Sequence, residues 1–281
     1  MTWKIVSDSG CDFQKIKDLA VATDFERVPL TIQVGNEIFT DDAELDIDEM
    51  MEKMYATSTA SKSACPSPDD YLKSFAGADN IFVVTITGTL SGSNNSAQLA
   101  KKLYQEEHPN VNIHVIDSLS AGGEIDLIVH KLNHLIGQGL SFEKVVKAIT
   151  HYQEKTKLLF VLSKVDNLVK NGRLSKLLGT VVGLLNIRMV GEASSQGTLE
   201  LLQKARGHKK SLTAAFEELL KAGYAGGKII IAHRNNTKFC QQFSELVKEK
   251  YPKASITIIP TSGLCSFYAE EGGLLMGYEI E

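Results

Sequence analysis

The stretch that decides the fold is IFVVTITGTLSGSNNSAQLAKKLYQEEHPNVNIHVID, Ile81 to Asp117. Ile81 to Thr85 and Ile113 to Asp117 are short apolar, β-branched runs of the kind a sheet buries, and Ser93 to Glu107 between them carries a helical pattern. Strand, helix, strand in that order gives a parallel sheet covered by helices. Toward the N-terminus, Trp3 to Ser7 reads as a further strand, and Asp46 to Ala56 and Pro68 to Phe75 read as helices. A β-like pair, Val28 to Val34 and Glu37 to Phe39, is inserted early, and a helix is predicted over Glu124 to Gly137. Ser67-Pro68-Asp69-Asp70 predicts a sharp helix start, with Ser67 as cap, Pro68 at the first helical position and Asp70 closing a capping box.

A charged stretch around Lys155 leads into Leu158 to Ser163, a buried-strand pattern, and the boundary between two units is placed there: 1–155 and 156–281. Beyond it come helical Val165 to Asn171, the small-residue segment Leu177 to Leu185, β-like Ile187 to Gly191 and Thr198 to Gln203, and a helix from His208 to Ala222. Lys228 to His233, a helix from Lys238 to Tyr251, Ser255 to Pro260 and Leu274 to Tyr278 restore the alternation. No internal repeat is visible. The fold class is α/β, with two different α/β domains rather than a duplicated one.

The 281 residues are long enough for two cores. Thirty basic against 34 acidic side chains, without a basic cluster, leave no footprint for a nucleic-acid backbone. No apolar run approaches the ~20 residues of a spanning helix, and the N-terminus lacks a signal-peptide core. Cys11, Cys65, Cys240 and Cys265 lie far apart without a CxxC pair, which argues against a zinc knuckle or a disulfide framework. A soluble, cytoplasmic protein is expected.

Several enzyme signatures are absent. Gly223-Tyr224-Ala225-Gly226-Gly227-Lys228 imitates a phosphate loop, but only three residues separate Gly223 from Gly227, Ile229 replaces the hydroxyl residue, and a strand follows instead of a helix. It reads as a helix end and a turn. No GxGxxG follows the early strands, no GxSxG elbow occurs, and the seven histidines have no ligand spacing. No metal or cofactor is expected.

Thr85 to Ala97 follows a strand and opens a helix. Its chemistry suits an anion: free amides at a helix N-terminus point outward with the positive end of the dipole, and Ser91 and Ser93 add hydroxyls. A plain Ser-rich cap accounts for it equally well. Two further polar loops, Ser7 to Asp12 and Ser61 to Pro68, could converge with it on one site. Leu158, Phe160, Leu162, Leu184 and Leu185 could line an apolar tunnel or be ordinary core.

These motifs together resemble the DegV family of bacterial fatty-acid-binding proteins. Ser7-Asp8-Ser9-Gly10-Cys11-Asp12 is similar to that family's S-D-S-x-x-D, Lys62-Ser63-Ala64-Cys65-Pro66-Ser67-Pro68 to K-T-S-Q-P-S-P, and Leu90-Ser91-Gly92-Ser93-Asn94-Asn95-Ser96-Ala97 to L-S-G-T-Y-Q-S-A. In the second unit Gly172-Arg173-Leu174 resembles G-R-I, Leu184-Leu185-Asn186-Ile187-Arg188 resembles L-L-N-I-K, and Lys204-Ala205-Arg206-Gly207 resembles K-x-R-G. The resemblance implies a parallel sheet in the first domain, a mixed sheet in the second, and a long-chain fatty acid between them with its head in the first and its tail covered by the second. It further implies a carrier without catalysis of its own, presenting the carboxylate to a separate ATP-dependent fatty-acid kinase, holding the acyl-phosphate and touching a membrane at most transiently. Carried over by motif, Ser63 and Ser91 are carboxylate donors, Gly92, Ser93 and Asn94 shape the helix N-terminus, and Arg173 and Arg206 are structural or surface residues. Where many members have H-T-G-P-G, this chain has Tyr268-Ala269-Glu270-Glu271-Gly272-Gly273, and no histidine follows His233. A lipid-sensing regulatory module and a phosphotransferase related to dihydroxyacetone kinases are the alternatives.

Overall fold

In a computed structural model that describes residues 1–174 and 186–281, three sheets share the chain. The first is the parallel sheet expected: β1 (Trp3–Asp8), β2 (Thr23–Val28), β6 (Asn80–Thr85) and β7 (Asn112–Asp117), in the order β2-β1-β6-β7. The second is mixed. It joins β8 (Thr156–Leu162), β9 (Ile187–Ala193), β10 (Leu199–Arg206), β11 (Ile229–His233), β12 (Ile256–Pro260) and β13 (Leu274–Glu279) in the order β10-β9-β8-β13-β11-β12, with only β11 and β12 parallel. The third is a small antiparallel sheet of β3 (Thr31–Val34), β4 (Glu37–Thr40) and β5 (Lys62–Ala64).

One correction concerns Val28 to Val34. Val28 closes β2 in the parallel sheet, whereas Thr31 opens β3 in the small one. Pro29 between them has no amide to donate to a ladder, so the chain leaves one sheet and turns into the next. The small-residue segment Leu177 to Leu185 lies outside the described residues.

The helices follow the apolar pattern. Ser67 caps α2 (Pro68–Ser74) with the complete capping box to Asp70. Helix α3 (Ser93–Glu107) turns Ala97 and Ala100 inward onto β6 and β7, and α1 (Ile47–Ala56) buries Met50, Met51 and Met54. Helix α5 (Phe142–Gln153), absent from the sequence reading, buries Val145, Ile149 and Tyr152, the short α6 (Asp166–Lys170) buries Asn167 and Leu168, and α7 (Gly207–Lys221) and α8 (Thr237–Lys250) cover the outer face of the mixed sheet.

Helix α4 (Gly123–Gly137) is buried on every side through its first two turns, Gly123 to Val129, because it has sheet on both sides: β1 and β6 on one, β13, β11 and β8 on the other. Its first turn rests backbone to backbone on β13, since a Cβ on Gly277 would stand 2.2 Å from the Gly123 carbonyl oxygen. Ile230 and Leu264 from the second half therefore belong to the same core as Ile5, Phe82 and Ile128. A short helix, α9 (Gly263–Ala269), repeats the crossing on another side, packing on α1 and β3. Among the described residues no helix is long and apolar enough to cross a membrane.

Candidate functional site

Strand β8 alternates, with Leu159 and Val161 facing the core under α7 and α8 and Leu158, Phe160 and Leu162 facing the first half of the chain. Between those three and the loop after β6 lies a cavity of about 290 Å³, mostly apolar along β8 and polar at one end. Ser63, Cys65, Ser91, Gly92, Arg173 and Tyr268 make the polar end. Among the described residues the lining holds no Asp, Glu or His, so an anion there meets donors and no competing carboxylate.

Each polar group is placed by a separate element. Pairing of β5 with β3, Ser63 opposite Ile32, fixes Ser63, and its Oγ shares a 2.7 Å hydrogen bond with Tyr268 Oη from α9. Burial raises the Tyr268 hydroxyl pKa, partly offset by Ser63 and Arg173, so the phenol remains a neutral donor. Ser91 Oγ accepts from the Ser93 amide at 3.2 Å, which leaves its own proton to donate. Gly92 is the N-cap of α3, and Cys65 Sγ packs so near that a Cβ on Gly92 would meet it at 3.0 Å. Arg173 Nη1 and Nε donate to the carbonyl oxygens of Asn171 and Leu90, at 2.6 and 3.2 Å, and the guanidinium lies 5.9 Å from the Tyr268 ring centre.

The expected site residues divide accordingly. Ser63, Ser91 and Gly92 line the cavity together. Ser93 and Asn94, expected at the ligand, do not line the cavity, and their side-chain donors are committed elsewhere. Ser93 Oγ donates to Asp8 Oδ2 and shares a 2.7 Å bond with Tyr71 Oη, while Asn94 Nδ2 donates to Thr85 Oγ1 at 3.0 Å. Asp8 also accepts from the amides of Ile86 and Gly10, and burial pushes its carboxyl up to about 6 despite these bonds. Arg173, expected as structural or at the surface, lines the cavity; Arg206 is exposed at the end of β10 and does not. Leu158, Phe160 and Leu162 line it, whereas Leu184 and Leu185 lie outside the described residues.

Tyr268, which opens the stretch that departs from H-T-G-P-G, is the group that sequence reasoning left out of the site. So are the anchors of its helix. Asp41 accepts from the amides of Gly263 and Leu264 at 2.8 and 2.7 Å, and Asp12 accepts from the amide and hydroxyl of Ser262 at 2.6 and 3.0 Å. Two carboxylates from the first half thus cap the N-terminus of α9, which carries Leu264, Cys265, Tyr268 and Ala269 of the cavity wall. Arg27, itself buried, lies 3.6 Å from Asp41.

A family model described as an uncharacterised protein of the DegV family matches residues 2–279. A DegV domain-containing protein of Streptococcus gordonii is 82% identical over 280 residues, 100% of each chain. The Fatty Acid Kinase (Fak) B3 protein of Streptococcus pneumoniae, solved loaded with linoleic acid, is 74% identical and superposes with a TM-score of 0.99 over 100% of both chains. A DegV family protein from Eubacterium eligens, loaded with heptadecanoic acid, is 39% identical with a TM-score of 0.96, again over 100% of both chains.

Proposed function

Because the chain belongs to the DegV family, we propose that it is a carrier that binds a long-chain fatty acid in the cavity between the parallel and mixed sheets. The observation that carries this reading is a mostly apolar cavity whose polar end offers donors without a carboxylate: Ser91, the remaining proton of the Ser63–Tyr268 pair, the N-terminus of α3 and Arg173. That is the complement of an amphiphile with one anionic head. The head is taken by Ser63, Ser91 and α3 of unit 1–155 together with Tyr268 and Arg173 of unit 156–281, and the tail runs against β8 of the second unit. Burying about 14 methylenes at ~0.8 kcal/mol each contributes on the order of 11 kcal/mol, enough to offset much of the cost of association and chain ordering. The donors add selectivity, because a buried carboxylate without hydrogen bonds costs several kcal/mol.

The absence of a carboxylate or imidazole from the described lining supports a protein that holds and presents its ligand rather than transforming it. In this reading a separate ATP-dependent fatty-acid kinase phosphorylates the carboxylate at the polar end, the same donors keep the acyl-phosphate, and the protein works in the cytoplasm with only transient membrane contact. The names of the solved relatives support the acid and the kinase alike.

Comparison of native and denatured masses of the purified protein, with organic extraction of whatever is released, tests the proposal. A stoichiometric long-chain acid is expected. A protein that is empty and also fails to take up added fatty acids overturns the reading. With ATP alone no acyl-phosphate should form; product without any kinase would make the chain an enzyme.

A further inference from the structure

The geometry points to Gly191 and Phe160 as the pair that sets the width of the cavity at its middle, and with it the choice between bent and straight acyl chains. This inference rests on the fatty-acid reading of the cavity. One row of side chains crosses the inner face of the mixed sheet: Leu275 of β13, Phe160 of β8, Gly191 of β9 and Leu201 of β10, each directly opposite the next. Leu158 and Leu162 border the same cavity on either side of Phe160, about 13 Å apart along the strand. The segment after Leu162 reaches the polar end, where Asn171 donates to the Ser61 carbonyl at 3.0 Å and Arg173 to that of Leu90 at 3.2 Å, so Phe160 lies one step further from that end than Leu162 and one step nearer than Leu158.

The ring does not stand upright in that row. A Cβ placed on Gly191 would lie 2.2 Å from Phe160 Cζ and 2.6 Å from Cε2, so the ring lies over the bare backbone of the neighbouring strand. Gly191 is covered by it and does not reach the cavity. A glycine directly opposite an aromatic residue gives the ring a place beside the cavity instead of across it. Any side chain at 191 would push the ring back toward the tail, because Phe160 is only 1% exposed and closely packed elsewhere. A saturated chain can pass a narrow middle extended, whereas a cis double bond near mid-chain displaces the tail sideways and needs the room that Gly191 provides.

Wild type, Phe160→Leu and Gly191→Ala are to be compared by direct competition between a saturated and a cis-monounsaturated acid of eighteen carbons, with the bound ratio read by mass spectrometry after extraction. Phe160→Leu widens the middle without touching β9 and should move the ratio toward the bent acid by about tenfold, the discrimination that one or two methylene-sized changes provide. Gly191→Ala should move it toward the straight acid. Its Cβ would also press on the Glu200 carbonyl at 2.2 Å, so folding is checked first by circular dichroism. If that variant does not fold, Phe160→Leu decides alone. A ratio unmoved by Phe160→Leu, or moved toward the straight acid, overturns the role of the pair while wild-type binding still stands. Wild-type protein that takes up neither acid overturns the fatty-acid reading itself and this inference with it.

Discussion

Asp41→Ala should both destabilise the protein and empty its cavity. The Asp41 carboxylate is 1% exposed and accepts from the Gly263 and Leu264 amides at 2.8 and 2.7 Å. Hydrogen bonds to a charged acceptor contribute roughly 1.5–3 kcal/mol each, and the substitution leaves two helix-terminal amides buried and unmet. It also takes the nearest carboxylate from Arg27, 3.6 Å away, although Asp8 and Asp12 still act on that guanidinium. These losses overlap, so the expected total is about 3–5 kcal/mol. For a chain of 281 residues that is a fall in Tm of about 5–8 °C. Because α9 carries part of the cavity wall, ligand occupancy in native mass spectra should fall as well. Adding Arg27→Met should recover part of the stability, since the buried cation is then gone. A loss below about 1 kcal/mol in denaturant titration, or a large loss with occupancy unchanged, would refute the argument that these carboxylates hold the wall in place.

Ser63→Ala combined with Ser91→Ala should weaken binding of the acid by about 10- to 100-fold, the worth of one or two buried hydrogen bonds, and leave its methyl ester little affected; unchanged affinity for the acid refutes the head-group assignment. Burial pushes Asp8 and Asp12 up to about 6 and Glu124 up to about 7, whereas carboxyls of the unfolded chain titrate near 4. The folded state therefore binds these protons more tightly; their stabilising contribution is complete below about pH 4 and is lost as pH rises through 6 to 7. Tm should accordingly fall by about 5 °C or more between pH 5 and pH 8, and a flat profile across that range would refute it. Gly277→Ala places a Cβ 2.2 Å from the Gly123 carbonyl oxygen and should cost about 3 kcal/mol or more by forcing α4 off β13; a fall in Tm of under 2 °C would refute the contact.

The alternating pattern was readable wherever strands and helices carry their own apolar rhythm. Ile81 to Asp117 and Leu158 to Leu162 are such cases, because their burial is decided by local composition. Val28 to Val34 misled because apolar residues on both sides of Pro29 look continuous although they serve different sheets. The polar loops were visible as candidates, but the direction of each hydroxyl was not. Ser91 and Ser93 are two residues apart on one loop, yet one faces the cavity and the other Asp8, a choice set by the far-off end of β1. Tyr268 escaped for the same reason, since its partner Ser63 lies 205 residues earlier and only the tertiary fold brings them together. The roles of Asp12 and Asp41 belong to α9, a seven-residue helix too short to announce itself by periodicity.

The backbone contact of α4 on β13 has a kinetic meaning. With Gly123 against Gly277, a core shared through Ile230 and Leu264, and α9 capped from the other half, the two sheets cannot swing apart without breaking the body of the protein. In the carrier role proposed above, exchange of the acid would then need only a local opening. The turn between β9 and β10 marks one modest place for it, held to the loop after β6 by the Thr87 and Thr89 hydroxyls on the carbonyls of Gly197 and Gln196. Release through such an opening exposes little surface, so the off-rate should depend only weakly on denaturant, far less than unfolding does. If the proposed role holds, a protein built this way would release its acid at a rate set by local motion, without loosening its fold.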